Sequence, residues 1–183
     1  MIQPTKEMEI HYSTRTVKHI GLVKKWYEIL SSHFKDITII DIDSHDRSKF
    51  TEPERTPYIV LTWNYFCKDN NIDFKLSNED QEEINVATLH HILNNKHHPE
   101  FWDPEFSSEM FNPRNRDTPG KQLVNATEMP LCFILELAAD WCAMSEEKGT
   151  DPRDWADKNI NIRWEVTPEQ SKFIRTALDY FIL

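Results

Sequence analysis

The chain has 183 residues, 39% hydrophobic and 28% charged, which suits one domain with a real core and is short for two. Its formal net charge of -10 repels nucleic-acid backbone and anionic membrane, and its three glycines (Gly21, Gly120, Gly149) cannot build a P-loop or a dinucleotide-binding loop. A small anionic substrate stays admissible, because a bound metal can dominate the field of its own pocket. Cys67, Cys132 and Cys142 form no CxxC pair, and no signal-like or long apolar segment is present. These features point to a cytoplasmic protein with reduced thiols that act as small core residues.

Residues 1–13 read as a polar leader. Thr14 or Thr16 then caps a helix to about Phe34, with Val17, Ile20, Val23, Tyr27 and Leu30 as its apolar stripe and His19 inside it. The β-branched run 37–42 fits a strand or a short buried helix; helix is preferred because the chain offers no second strand. Pro53 and Pro57 precede a helix from about Tyr58 to Lys68. Ser77 and Asp80 make a capping-box-like start for a helix to about Lys96, closed by His98-Pro99. Residues 99–124 carry four prolines and read as a long loop or lid, with one short helix near Phe106–Phe111. Asn125 or Thr127 caps a strong helix through Cys142, and Thr150-Asp151-Pro152 opens a short one. Thr167-Pro168-Glu169-Gln170 is a full capping box for a last helix to the C-terminus.

The chemistry-bearing residues are spaced along these elements. His19 is followed by the His45-Asp46 dyad, by the run His90, His91, His97 and His98, and by Asp140. Imidazole and carboxylate are the donors that borderline divalent metals prefer. Lys49 lies i+3 from Asp46, placed either to hold a phosphate oxygen or to make a local ion pair. On one continuous helix, His90 would share a face with His97, and His91 with His98, with Asn94 and Asn95 between them to orient a ligand or a water. Asp140 sits in the middle of an apolar helix, where a buried carboxylate needs a partner or a metal, and Glu136 is one turn earlier on the same face. HExxH, ExxH and GxSxG are all missing from the chain, so zincin, ferritin-type and α/β-hydrolase templates do not fit.

The stretch His45-Asp46-Arg47-Ser48-Lys49-Phe50, the stretch from His91 to His97-His98-Pro99-Glu100-Phe101-Trp102 and the pair Asp140-Trp141 together resemble the HD-domain superfamily, all-helical metal-dependent enzymes that are mostly phosphohydrolases. More narrowly they resemble an uncharacterised HD-like family of bacteria and phages with HDxSKF and HHPExW motifs, over roughly residues 14–145. The resemblance implies an all-α, single-domain helical bundle with a long loop, residues 146–183 being a helical extension. It implies that His19, His45, Asp46 and Asp140 hold one divalent metal, with Mn, Fe, Zn, Co and Mg all open. A second metal would take His91 with His97, His98 or both, although these are closer in sequence than in most binuclear members.

The expected function is a metal-dependent phosphohydrolase acting on a nucleotide or another small phosphoester. Asp46 or Glu100 would take the proton, Lys49 would stabilise phosphoryl charge, and Asn95 and Trp102 would contact the substrate. A di-iron oxygenase of HD type and a non-enzymatic nucleotide-sequestering protein remain alternatives, and homo-oligomerisation is left open.

Overall fold

The computed structural model describes residues 2–107, 110 and 122–182, and the fold is all-α. It has helices α1 (Lys6–His33), α2 (Arg55–Asp69), α3 (Asn78–Asn94), α4 (Leu131–Lys148), α5 (Pro152–Asn159) and α6 (Pro168–Leu178), with 3-10 turns between α1 and α2 and after α3. Two short strands, β1 (Val124–Asn125) and β2 (Trp164–Glu165), pair in parallel. Among the described residues no helix is long and apolar enough to cross a membrane. The chain divides into two compact units: residues to Lys18 with Asp46–Asn94, and His19–His45 with the residues from Asn95 onward.

The first unit is built on Met8, Tyr12, Tyr58, Ile59, Val60 and Ile84. Met8 and Tyr12 lie one turn apart and are both buried, so the expected polar leader is instead helix from Lys6. The buried face of α1 runs through Met8, Tyr12, Thr16, His19, Val23, Tyr27 and Leu30, while Val17 is 61% exposed. Val23, Tyr27 and Leu30 of the expected apolar stripe are thus on the buried face, and only its start is displaced, because Thr16 and His19 take the buried positions there. Helix α2 starts at Arg55, three residues earlier than expected; Pro57 falls in its first turn, where a missing N–H is tolerated. Ser77 Oγ accepts from Asp80 N at 3.1 Å and Asp80 Oδ2 accepts from Ser77 N at 2.9 Å, which is the expected capping box. Helix α3 stops at Asn94 rather than Lys96. The Asn94 amide donates to the His90 carbonyl at 2.7 Å, and His98, held extended before Pro99, has φ -92 and ψ 131. His97 and His98 therefore lie beyond the helix, and the i, i+7 pairings with His90 and His91 do not form.

The second unit has the larger apolar cluster, with Val23, Leu30, Ile134, Leu135 and Cys142 packed among Ile160, Trp164, Ile174, Leu178 and Phe181. The C-terminal residues expected as an extension thus complete this core, each large apolar side chain contributing about 2 kcal/mol by burial. The 37–42 run is neither strand nor α-helix. Ile37, Ile40 and Ile42 pack against the core, the Ile40 amide donates to Tyr27 Oη at 3.1 Å, and a 3-10 turn follows at Ile42–Ser44 with Asp41 as its cap. The predicted caps Asn125 and Thr127 are used elsewhere: Asn125 lies in β1 and its Oδ1 accepts from Thr127 N at 3.1 Å, while Pro130 precedes α4. Strands of two residues leave no alternation to read, so β1 and β2 had no signal. Asp151 caps α5 through Arg153 N at 2.9 Å, as expected. The capping box of α6 has both arms, and this helix ends at Leu178, short of the terminus. The region 99–124 opens with a 3-10 turn at Pro99–Trp102; half of the expected lid, with half of its expected short helix, lies outside the described residues.

Candidate metal centre

In the second unit, three residues from distant parts of the chain converge. His19 comes from α1, His45 from the end of the Ile42–Ser44 turn, and Asp140 from mid-α4. One ligand atom from each lies within 4.8 Å of the others. His19 Nε2 is 3.0 Å from Asp140 Oδ1, and the two histidine rings are 6.0 Å apart between centroids. His45, His97 and Glu136 form a second such group that shares His45. Glu136 Oε1 accepts from His45 Nδ1 at 2.8 Å and lies 3.4 Å from His97 Nδ1. All of these side chains are buried except Asp140, which is 18% exposed. Two imidazoles and a carboxylate in such a place are a donor set for a borderline first-row metal.

Electrostatics keep the acids ionised. Burial pushes the Asp140 carboxyl up, but the hydrogen bond and charge of His19, with His45 and His97 behind it, hold it well below the usual carboxylate range. Burial likewise raises Glu136, and the hydrogen bonds from His45 and His97 outweigh it, leaving a net lowering. Further along the same face of α4, Glu147 Oε2 stands 3.9 Å from His19 Nδ1.

Asp46, adjacent to His45 in the chain, belongs to the first unit with His91. Its backbone is left-handed, with φ 57 and ψ 16, between two 3-10 turns rather than on a helix. The turn Arg47–Phe50 keeps Lys49 three residues on and on the same side, and Lys49 Nζ meets Asp46 Oδ2 at 2.5 Å. The local ion pair weighed from the sequence is formed. Asp46 Oδ1 is 3.3 Å from His91 Nε2, and the carboxylate is 1% exposed.

Glu54, which sequence reasoning missed, closes this cluster from behind. It is fully buried at the foot of α2 and accepts from His90 Nδ1 and His91 Nδ1 at 2.8 Å each and from Ser48 Oγ at 2.9 Å. Burial raises this carboxyl, and the His91, His90 and Ser48 hydrogen bonds more than reverse the effect. No periodicity marks Glu54, because it stands in the proline-rich step before α2; only its place eight residues beyond the dyad could have drawn attention.

The remaining expected residues are placed as follows. Of the set proposed for a second metal, His91 is in the first unit, whereas His97 and His98 are in the second, their rings 4.3 Å apart. Glu100 Oε1 accepts from Trp164 Nε1 at 2.9 Å and is 3.6 Å from Arg163, a setting of structural support. Trp102 donates to the Lys96 carbonyl at 2.9 Å and packs on Phe133, so its ring is engaged in the fold. Asn95 accepts from His98 N at 3.0 Å through its carbonyl. Burial pushes the Cys142 thiol up to about 12, which removes it as a nucleophile.

No curated protein and no solved structure matches the chain. The profile of one family matches residues 8–180, nearly the whole length, and the chain belongs to that family, described as a family of unknown function (DUF5662).

Proposed function

We propose that the protein is a metal-dependent phosphohydrolase acting on a nucleotide or another small phosphoester. The observation that carries this reading is the buried meeting of His19, His45 and Asp140, with Glu136 held against His45. These three side chains, all in the second unit, would hold a divalent metal. A metal held there supplies a Lewis acid for a phosphoryl oxygen and a water of lowered pKa. In the first unit, the Lys49–Asp46 pair offers a cation of the kind that meets phosphoryl charge and a carboxylate of the kind that accepts a proton. The acidic surface is compatible with an anionic substrate because the attraction is local.

The test is metal content of untagged protein, followed by a panel of nucleotides and phosphoesters. Stoichiometric metal that is lost in Asp140→Ala, with metal-dependent release of phosphate or nucleoside, is the expected result. Metal-free, normally folded wild type would overturn the reading. Bound iron with oxygen consumption and no hydrolysis would replace it with oxygen chemistry.

A further inference from the structure

We infer that Glu136 is a positioning residue that fixes His45 in one tautomer and so decides which of its nitrogens is offered to a metal. The inference rests on the metal reading above and deepens it. An imidazole has two nitrogens, and in its neutral form one carries the proton while the other carries the lone pair that can bind a metal. Glu136 Oε1 is 2.8 Å from His45 Nδ1, in a site where Glu136 is 6% exposed and the His45 side chain fully buried. An ionised carboxylate only accepts, so the proton of His45 sits on Nδ1 and Nε2 keeps the lone pair. The same oxygen is 3.4 Å from His97 Nδ1, which orders the second ring in the same sense.

The helix explains why this carboxylate is in place. Glu136 and Asp140 are i and i+4 on α4, and Glu147 is eleven residues on from Glu136, so all three share a face. Along that face the acids divide their work. Asp140 meets His19 Nε2 at 3.0 Å and belongs to the ligand group with His45. Glu136 meets His45 from the Nδ1 side, and Glu147 stands on the Nδ1 side of His19. Carboxylates behind metal-binding imidazoles fix the ring orientation and raise the basicity of the ligand nitrogen, and their loss weakens metal binding about 10- to 100-fold.

The tautomer is readable without metal or activity. In chelator-treated, nitrogen-15-labelled full-length protein, long-range proton–nitrogen spectra should show His45 protonated at Nδ1 in its neutral form. Glu136→Ala should move His45 toward the Nε2-protonated form and weaken zinc binding about 10- to 100-fold. Glu136→Gln, whose amide oxygen still accepts one N–H, should keep the tautomer and recover part of the affinity. A neutral His45 protonated at Nε2 in wild type would overturn the inference, and this needs no variant to fold. So would a Glu136→Ala protein with unchanged tautomer and zinc affinity. Wild type that binds none of zinc, iron, manganese, cobalt and magnesium yet shows the Nδ1-protonated His45 would defeat the metal reading and leave the orienting role supported, so the two failures are distinct.

Discussion

Each of the two units contains a buried glutamate that takes the Nδ1 side of two imidazoles. In the first unit Glu54 holds His90 and His91; in the second Glu136 holds His45 and His97. The clusters differ in what lies beyond the rings. In the first, Asp46 beyond His91 is already met by the Lys49 ammonium, and Ser48 adds a hydroxyl to Glu54. In the second, Asp140 and Glu136 are met by imidazoles, which are neutral unless protonated. The same carboxylate–imidazole unit therefore serves two ends. Where a lysine supplies the positive charge, the cluster is an ion-pair network; where, among the described residues, imidazoles alone meet the acids, the cluster could hold a divalent cation.

The largest expected effect separates the two clusters by metal content. His45→Ala or Asp140→Ala should lower zinc affinity by about 100-fold or more, read by titration against a chromophoric chelator. Equal loss in His90→Ala, whose ring is in the lysine-balanced cluster and 38% exposed, would erase the contrast. Next is Glu54→Ala. It strips three donors of a fully buried acceptor and should cost about 3–5 kcal/mol in urea unfolding, with Glu54→Gln milder. A cost below about 1 kcal/mol would show that Glu54 is not a keystone of its unit.

How much of this was legible beforehand follows from residue type. His19, His45 and Asp140 stood out because their side chains are unusual in the positions they occupy, and the structure brings all three together. Asp46 and Lys49 were legible as a local pair, since i, i+3 neighbours meet on either an α-helix or a 3-10 turn. Glu54 was not, because a carboxylate beside prolines looks like ordinary loop until His90, His91 and Ser48 are known to surround it. The His97 and His98 placement failed for a local reason: two asparagines and an X-Pro step end α3 before either histidine. Helix α1 was misread at its start because its buried face is partly polar, with Thr16 and His19 in line with Met8 and Tyr12. The caps of α5 and α6 were read correctly, since Asp151-Pro152 and Thr167-Pro168 are short-range signals that tertiary structure did not override.

Two smaller changes ask whether the units unfold as one. Asp80, in the first unit, is raised by burial and lowered more strongly by hydrogen bonds from Ser77 and the Ile2 amide. Its folded pKa is depressed, so its contribution is present above the unfolded value and is lost as pH falls through the folded one. Asp80→Asn should cost about 1 kcal/mol at pH 7 and progressively less below about pH 4, measured by denaturant melts across pH. Thr167→Ala in the second unit removes the α6 cap and should cost about 1 kcal/mol. With no carboxyl removed, that cost should be flat over the same acid range. Both variants shifting a single transition would mean cooperative unfolding; each shifting its own transition would mean that the two units melt separately.

The left-handed backbone at Asp46 carries one more consequence. An L-residue there holds a conformation that glycine adopts freely, and even aspartate, which tolerates it better than most, gives up part of the roughly 1–2 kcal/mol at stake. Substitution at this position therefore pulls in two directions at once. Asp46→Gly relaxes the chain while deleting the carboxylate, Asp46→Asn keeps the shape and removes only the charge, and Asp46→Ala adds strain to the loss. Because the carboxylate is buried between Lys49 and His91, its loss outweighs the relaxed backbone, so Asp46→Gly and Asp46→Ala should both unfold at lower denaturant than wild type, Ala at the lowest.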